Sequence, residues 1–296
     1  MKRAGVIGLG DMGSGLAKNL IAAGFATTGF DLSAARMAAF VEMGGKPAAS
    51  AREVGEGADA VFVMVMNGDQ AKSVILGEQG LVRSLRSGAV VILTATIRAS
   101  EAQDIAKGLE GTGIEMIDSP VSGGFAGAQS GTLTMMAAAR KDVFDARRDL
   151  LDAVGKEIFH VGEEIGQGQS VKACLQALIG AIFGATFETC VLAAKAGISG
   201  KVLYDVVSNS VAGSRATNTA LQKIFDRAFV DTGSHIATMH KDLTITLDMA
   251  RELGVPMFTT AAAMQLFQCG KTKHPEGDNW IVTRVLEDIV GTEAKW

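Results

Sequence analysis

A glycine-rich hexapeptide near the N-terminus has the spacing of a phosphate-binding turn. Its residues are Gly8, Leu9, Gly10, Asp11, Met12 and Gly13. When this pattern links a strand to a helix, the first glycine permits a tight turn and the second lets the backbone approach a pyrophosphate. The third glycine allows close packing of helix on strand, and the helix N-terminus offers free N–H groups. We predict that these six residues bind a dinucleotide; a purely structural glycine turn is the alternative.

An acidic residue follows the glycines at the interval that such folds use for the adenine ribose. Asp31 lies about 20 residues beyond Gly10, at the end of a second predicted strand. A carboxylate there accepts hydrogen bonds from both ribose hydroxyls and repels a 2′-phosphate. We therefore predict NAD, in preference to NADP, as the cofactor.

A second group of small residues could bind an anion. Consecutive small residues at Ser122, Gly123 and Gly124 can expose backbone N–H groups, and the serine hydroxyl adds a donor. This chemistry suits a substrate carboxylate. An ordinary glycine turn between a strand and a helix has the same pattern, so the residues alone leave both interpretations open.

Lys172 is a candidate for proton transfer. It lies near the start of a long apolar run and is followed by Ala173, Cys174 and Leu175. Removal of the ammonium group from water would lower its pKa, and a neutral lysine can accept the proton of an alcohol. The alternative is a lysine whose stem packs at a domain surface while its charge stays in water.

The first half of the chain alternates between strand-like and helix-like patterns. Apolar runs predict strands at Ala4–Gly8, Thr27–Phe30, Ala60–Met66, Ala89–Leu93, Glu115–Ile117, Leu133–Ala138 and Glu157–Val161. Helical spacing predicts helices at Ser14–Ala23, Ala34–Met43, Ala71–Ile75 and Ser100–Leu109. This alternation predicts a parallel, doubly wound sheet.

The pattern of the second half of the chain predicts helices. Long helical patterns cover Gly168–Gly197, Lys201–Ala212, Asn218–Ala228, His235–Leu253 and Ala261–Phe267. We predict an α/β protein with an N-terminal Rossmann-type NAD-binding domain (residues 1–164) and an all-α substrate and dimerisation domain (residues 165–296). A long helix would join the two domains, and the active site would lie in the cleft between them.

Composition excludes several other classes of protein. The 296 residues are 48% hydrophobic, carry a net charge of −4 and include 36 glycines. Basic stretches typical of nucleic-acid binding are missing, and the three cysteines show no metal-ligand or disulfide spacing. Since no apolar run approaches about 18 residues and no secretory signal is evident, we expect a cytoplasmic protein without a metal or a membrane span.

Several motifs together resemble the β-hydroxyacid dehydrogenases. That family includes 3-hydroxyisobutyrate dehydrogenase, tartronate semialdehyde reductase, 6-phosphogluconate dehydrogenase and L-threonate dehydrogenase. The segments that carry the resemblance are Val6–Leu20, Ala95–Ile97, Asp118–Leu133, Gly166–Lys172 and Lys241–Leu243. They occur in the family's order and cover nearly the whole chain.

The resemblance implies roles that local patterns leave open. Lys172 corresponds to the family's catalytic lysine, and Ser122, Gly123 and Gly124 correspond to its substrate-binding segment. Further cofactor contacts are implied at Met66, Asn67, Thr96 and Lys241. The reaction implied is the reversible oxidation of a small hydroxy acid. Relatives pair through the helical domain, so a homodimer or homotetramer is expected, with no nucleic-acid or membrane partner.

One position departs from the common family pattern. Many relatives have asparagine three residues after the lysine, where this chain has Leu175, and Gln176 follows at helical spacing from Lys172. Gln176 is expected to bind the substrate or to hold the lysine. This spacing resembles the L-threonate dehydrogenase branch and favours a four-carbon sugar acid as substrate. The alternatives are 3-hydroxyisobutyrate and tartronate semialdehyde.

Several residue types argue against other mechanisms and other roles for this chain. The single tyrosine, Tyr204, lacks the lysine that a Ser-Tyr-Lys reductase needs, and the four histidines show no His/acid arrangement. An imine reductase or a non-catalytic dinucleotide sensor would be expected to lack Lys172. Whether Arg215, His240 and Asp278 belong to the site stays open, with a surface or structural role as the alternative for each.

Overall fold

The computed structural model describes residues 2–296, which form two compact units that divide between Lys172 and Ala173. The strands of the first unit are β1 (Arg3–Ile7), β2 (Ala26–Phe30), β3 (Lys46–Pro47), β4 (Ala60–Val63), β5 (Val90–Leu93), β6 (Glu115–Asp118), β7 (Val121–Ser122), β8 (Leu133–Ala138) and β9 (Gly155–Gly162). Its helices are α1 (Asp11–Ala22), α2 (Ala34–Glu42), α3 (Ala51–Gly55), α4 (Gly68–Leu76), α5 (Ala99–Leu109), α6 (Gly124–Ser130), α7 (Lys141–Ala146) and α8 (Arg148–Val154), with a 3-10 turn at Leu81–Arg83.

The sheet has the order β3-β2-β1-β4-β5-β6-β8-β7, with β9 paired to β8. The strands from β3 to β6 are parallel, as are β8 and β9. The predicted parallel, doubly wound sheet is therefore confirmed for most of the strands, and only one edge differs from the parallel arrangement. There β8 runs antiparallel to both β6 and β7. The chain reverses between β7 and β8, which are joined by residues 123–132, and a parallel crossover needs a dozen or more residues.

Side chains of the central strands alternate between two cores. In β4, Ala60 and Phe62 belong to one core, and Val61 and Val63 belong to the other. Helices α1, α2, α6, α7 and α8 cover the first face, and α3, α4 and α5 cover the second. Because both faces are covered, the central strands can be continuous apolar runs, which is why their sequences predict them.

The second unit is helical. Its elements are α9 (Gln167–Lys195, which begins in the first unit), α10 (Gly200–Ser208), α11 (Arg215–Phe225), α12 (Ile236–Glu252), α13 (Phe258–Lys273) and α14 (Val282–Val290), with a 3-10 turn at Asn279–Ile281. Phe187, Phe267 and Trp280 lie in its core. Helix α9 is long and apolar enough to cross a membrane by length and composition alone. However, half of its most apolar stretch is buried inside the structure. A helix in a protein core can also be this long and this apolar.

Side-chain hydrogen bonds move two helix ends away from their predicted positions. α10 ends at Ser208 instead of Ala212 because Ser208 Oγ and Asn209 Nδ2 donate to the backbone carbonyls of Tyr204 and Asp205. α11 begins at Arg215, three residues earlier than predicted, because Ser214 Oγ accepts the Thr217 N–H at 3.0 Å. Serine at this position is a strong N-cap.

Candidate active site

The parallel strands end at one common edge of the sheet. In the register of β1, β4, β5 and β6, Ile7 pairs with Val63, Val63 with Leu93, and Leu93 with Asp118. The segments that follow these strands carry the glycine hexapeptide, Met66 and Asn67, Thr96, and the Ser119–Gly124 stretch. Ligands of open α/β sheets bind at this carboxyl edge, so the structure gathers the predicted residues of the first unit there.

Two glycines of the hexapeptide are required by close backbone packing. Gly8 has a φ of +85°, and an added Cβ would lie 2.9 Å from the carbonyl carbon of Met64 and closer still to its oxygen. A Cβ on Gly13 would lie 2.8 Å from the carbonyl carbon of Gly8, again with the oxygen closer. Backbone atoms occupy both spaces and cannot easily move. These two glycines let β1 turn sharply into α1.

Gly10 differs from Gly8 and Gly13 because no backbone atom occupies the space beside it. It is the N-cap of α1, where it supplies no side-chain cap for the first turn. The nearest atoms to an added Cβ belong to the Arg36 guanidinium, at 3.7 Å. The α1 N-terminus thus keeps a backbone surface that a phosphate could approach. This cradle, which a Cβ on Gly10 would fill, fits the pyrophosphate of a dinucleotide.

Asp31 holds the glycine turn in place. Its Oδ2 accepts the Leu9 N–H at 2.7 Å and its Oδ1 accepts the Ser33 N–H at 2.8 Å. Arg36 Nη1 lies 3.6 Å from Oδ2, and the Asp31 side chain is only 8% exposed. Each carboxylate oxygen can accept more than one hydrogen bond, so a ribose hydroxyl could still bind. Asp31 was predicted from the sequence, whereas Arg36 was not.

Met66 and Asn67 follow β4, which ends at Val63 and is thus shorter than the predicted strand Ala60–Met66. Met66 is 55% exposed, so it is available for contact with a ligand. Asn67 is the N-cap of α4, where its Oδ1 accepts the Gln70 N–H at 2.9 Å. Thr96 lies between Ala95 and Ile97, whose backbones both bond to Gln169.

The second glycine turn links β7 to α6. Gly123 and Gly124 follow Ser122 and have φ values of +133° and +59°. An added Cβ on Gly124 would meet nothing within 4 Å. Both glycines are exposed, so their backbone is accessible to a small anion.

Helices α1 and α6 connect the two glycine turns. Asn19 Nδ2 donates to the carbonyls of Gly15 and Ala128, at 2.7 and 2.8 Å. Gln129 Nε2 donates to Ser14 Oγ at 3.1 Å. An added Cβ on Gly15 would lie 2.5 Å from the Ala128 oxygen, so the two helix backbones approach each other closely at this residue.

Lys172 lies in the first turns of α9 and is 6% exposed. That part of the helix is fixed by a buried network that the sequence analysis did not assign. Asp118 Oδ2 accepts the N–H groups of Gly166 and Gln169 at 2.9 and 3.2 Å, and Gln169 Nε2 donates to Asp118 Oδ1 at 2.7 Å. The first turns of α9 are therefore docked at the carboxyl end of β6.

Asp118 is fully buried, and burial raises its pKa to about 6 although hydrogen bonds from Gln169 and Gly166 oppose the rise. Over residues 2–296, the groups that hydrogen-bond to it are neutral amides. The sequence contained a signal for this residue, because Asp118 is an acidic residue at the end of the apolar pair Met116–Ile117. Its partner could not be found, because Gln169 lies 51 residues further along the chain.

In the second unit, Gln176 and Lys241 meet at Asp242. Gln176 Nε2 donates to Asp242 Oδ2 at 2.7 Å, and Lys241 Nζ lies 3.0 Å from Oδ1 of the same carboxylate. Gln176 and Asp242 are buried, at 7% and 4% exposure. Lys241 and Asp242, adjacent residues of α12, thus form an ion pair.

The three residues left open by the sequence occupy different settings. Arg215 is exposed at the start of α11. His240 Nε2 bonds to Gln268 Oε1 at 2.8 Å. Asp278 is fully buried, and its Oδ2 accepts the Thr232 N–H at 2.6 Å. His240 and Asp278 thus make local contacts within the helical unit. Across residues 2–296, no three His, Cys, Asp or Glu side chains gather as a possible metal site.

The glycine cradle, the strand-end carboxylate and the open α1 N-terminus define the first unit as a Rossmann-type dinucleotide-binding domain. Comparison with known proteins agrees: residues 3–162 match the NAD-binding domain of 6-phosphogluconate dehydrogenase. Residues 166–286 match the NAD-binding domain of NADP-dependent 3-hydroxyisobutyrate dehydrogenase.

Relatives that match over almost the whole of both chains are dehydrogenases as well. The chain is 34% identical to an L-threonate dehydrogenase from Escherichia coli O6:H1, over 98% of this chain and 97% of the relative. It is 36% identical to an L-threonate dehydrogenase from Haemophilus influenzae, over 96% and 95%. A solved 3-hydroxyisobutyrate dehydrogenase from Salmonella typhimurium superposes with a TM-score of 0.89 at 31% identity, covering 96% of this chain and 100% of that one.

The chain belongs to the 3-hydroxyisobutyrate dehydrogenase-like family of hydroxyacid dehydrogenases, near the L-threonate dehydrogenases. It is an NAD(P)-dependent oxidoreductase that acts on a CH–OH group.

Proposed function

We propose that the protein oxidises a small hydroxy acid reversibly, with Lys172 as the general acid and base. The observation that carries this proposal is the placement of Lys172. It is a buried lysine, in the first turns of a helix docked at the carboxyl edge of the sheet. The neutral amine of a lysine in this place could accept the proton of an alcohol.

Each group of residues would supply one requirement of the reaction. Bound NAD supplies the acceptor for the hydride that leaves the carbinol carbon. Lys172 Nζ would take the hydroxyl proton during oxidation and return it in the reverse direction. Ser122, Gly123 and Gly124 would hold the substrate carboxylate through backbone N–H groups and the serine hydroxyl. Gln176 would help to bind the substrate, while Asp242 fixes its amide at 2.7 Å.

For the cofactor, we propose NAD in preference to NADP. Leu9, Gly10, Asp11 and Met12 would surround the pyrophosphate, with Asp31 at the adenine ribose. Met66, Asn67, Thr96 and Lys241 would make the remaining contacts. The Asp31 carboxylate supports this choice, because it would repel a 2′-phosphate. On this proposal residues 1–164 bind the dinucleotide, and residues 165–296 complete the substrate site and the dimer or tetramer interface.

For the substrate, we propose a four-carbon sugar acid such as L-threonate. Its support is the full-length similarity to L-threonate dehydrogenases and the Lys172–Gln176 spacing without an asparagine at position 175. 3-Hydroxyisobutyrate and tartronate semialdehyde are the competing substrates.

A panel of hydroxy acids tests the substrate and the cofactor together. Initial rates with L-threonate, glycerate and 3-hydroxyisobutyrate, and of tartronate semialdehyde reduction, would be compared as kcat/KM with each cofactor. The proposal expects the highest value for threonate with NAD. Equal values for threonate and 3-hydroxyisobutyrate would remove the sugar-acid assignment, and equal values for the two cofactors would remove the NAD preference.

The lysine is tested with a matched pair of variants on the same helix. Lys172→Met should retain NAD binding and lose roughly 10²-fold or more in kcat, as general acid–base catalysis is lost. Lys195→Met changes an exposed lysine, which bonds to the Val290 carbonyl, and should keep normal turnover. Near-normal kcat in Lys172→Met would refute the assigned role.

A further inference from the structure

We propose that Gln169 is a positioning residue, which uses Asp118 as a fixed point to hold the helix turn carrying Lys172 against the loop carrying Thr96. Gln169 is 2% exposed, so its side chain contacts protein on all sides. The inference deepens the proposed function, because it assumes that Lys172 must meet a substrate at this edge of the sheet.

The amide of Gln169 has only one workable orientation. Its Oε1 accepts the Ile97 N–H at 3.0 Å, and its Nε2 donates to the Ala95 carbonyl at 3.1 Å and to Asp118 Oδ1 at 2.7 Å. Both Nε2 protons are used, and rotation of the amide would place donor against donor at Ile97. The Gln169 side chain therefore holds the backbone on both sides of Thr96 through hydrogen bonds.

Asp118 anchors the same helix turn through its other oxygen. Oδ2 accepts the backbone N–H groups of Gly166 and Gln169. Gly168 lies so close to the strands that an added Cβ would be 2.6 Å from the carbonyl oxygens of Asp118 and Met136. The start of α9 thus has little freedom to shift along or away from the sheet.

Lys172 follows Gln169 by three residues and so lies on the same side of the helix. Any shift of this turn would move the lysine nitrogen relative to the loop of Thr96. Proton transfer requires hydrogen-bond distance, and a misplacement of about 1 Å can cost roughly 10²-fold in rate. Gln169 would act on turnover through this distance, without contacting substrate itself.

The first experiment removes these side-chain hydrogen bonds of Gln169 while keeping side-chain volume. Gln169→Leu should lose roughly 10- to 100-fold in kcat, while the Kd for NAD measured by calorimetry changes by less than about threefold. Gln167→Leu is the control, since Gln167 is exposed and its Oε1 bonds to the Glu164 N–H. A merely structural role would lower Tm and the number of NAD-binding sites but leave kcat per site unchanged, which would overturn the inference.

A second variant decides the question if Gln169→Leu does not fold. Gln169→Glu places a carboxyl 2.7 Å from Asp118 Oδ1, and two acids so close must share a proton. The shared proton would restore the bond to Asp118 at low pH. The kcat of this variant relative to the wild type, and its relative Tm without cofactor, should both rise from about pH 8 to about pH 6.

Gln167→Glu on the same turn should show neither trend. Flat pH profiles in Gln169→Glu would overturn the inference. Failure of the proposed function gives a different result: Lys172→Met would keep its turnover, while the pH dependence of Tm in cofactor-free Gln169→Glu would persist.

Discussion

Gly13 is glycine because backbone atoms occupy the space that a Cβ would need, whereas Gly124 is glycine because its φ is +59° in otherwise open surroundings. At Gly13 the constraint is thus steric, because the Gly8 carbonyl of the same turn occupies the space. At Gly124 the constraint is the backbone dihedral angle of the residue itself. The contrast teaches that two turns with similar composition can fail in different ways. Four substitutions test it.

Gly13→Ala should have the largest effect. The new methyl would lie 2.8 Å from the Gly8 carbonyl carbon, so β1 and α1 must separate. We expect a loss of about 3 kcal/mol or more in the free energy of unfolding, measured by urea titration. Unchanged stability would show that close packing does not require this glycine.

Gly10→Ala should separate binding from stability within the same turn. Only the flexible Arg36 side chain approaches the new methyl, at 3.7 Å. The free energy of unfolding should change by less than about 0.5 kcal/mol, but the Kd for NAD should rise about tenfold, which is about 1.4 kcal/mol. Unchanged affinity would mean that the dinucleotide backbone does not approach this residue.

Gly124→Ala should cost about 1 kcal/mol of stability, because a left-handed conformation strains an L-residue. Gly124→Asn is the control and should cost less, since asparagine tolerates that conformation better. The KM for the hydroxy acid should rise in Gly124→Ala, while the Kd for NAD stays unchanged. Equal destabilisation by both substitutions would contradict the dihedral explanation.

Gln129→Ala should have the smallest effect and tests whether the two turns are independent. Its side chain joins α6 to Ser14 at the start of α1. Loss of this partly exposed hydrogen bond should cost about 0.5 kcal/mol. If the turns are coupled, the Kd for NAD and the KM for substrate will both rise slightly; a change in only one would indicate independence.

Much of the fold could be predicted because its signals are local. Continuous apolar runs predicted β4 and β5, and a long apolar segment predicted α9. The two-residue strand β7 and the short helices α6, α7 and α8 were missed, because such short elements depend on tertiary packing more than on intrinsic propensity. The antiparallel arrangement at the sheet edge was also missed. It depends on the length of the connection between β7 and β8, which strand patterns do not indicate.

In the candidate site, too, local features could be predicted from the sequence, and contacts between distant residues could not. Glycine spacing predicted the first turn because Gly8 and Gly13 each meet a local steric requirement there. Asp31 was placed correctly beside that turn, but its hydrogen bond to the Leu9 N–H could not be inferred. The pairs Asp118–Gln169 and Gln176–Asp242 join residues 51 and 66 positions apart, and no spacing rule connects them.

The burial of Asp118 also has a thermodynamic consequence. Its pKa is about 6 in the folded chain, against an ordinary value of 3.8, so between these pH values the native state binds more protons than the unfolded state. Folding in this window takes up a proton, and this contribution to stability decreases as the pH rises through it. In mild acid the heat of unfolding measured by calorimetry should therefore vary with the ionisation enthalpy of the buffer that receives the released proton.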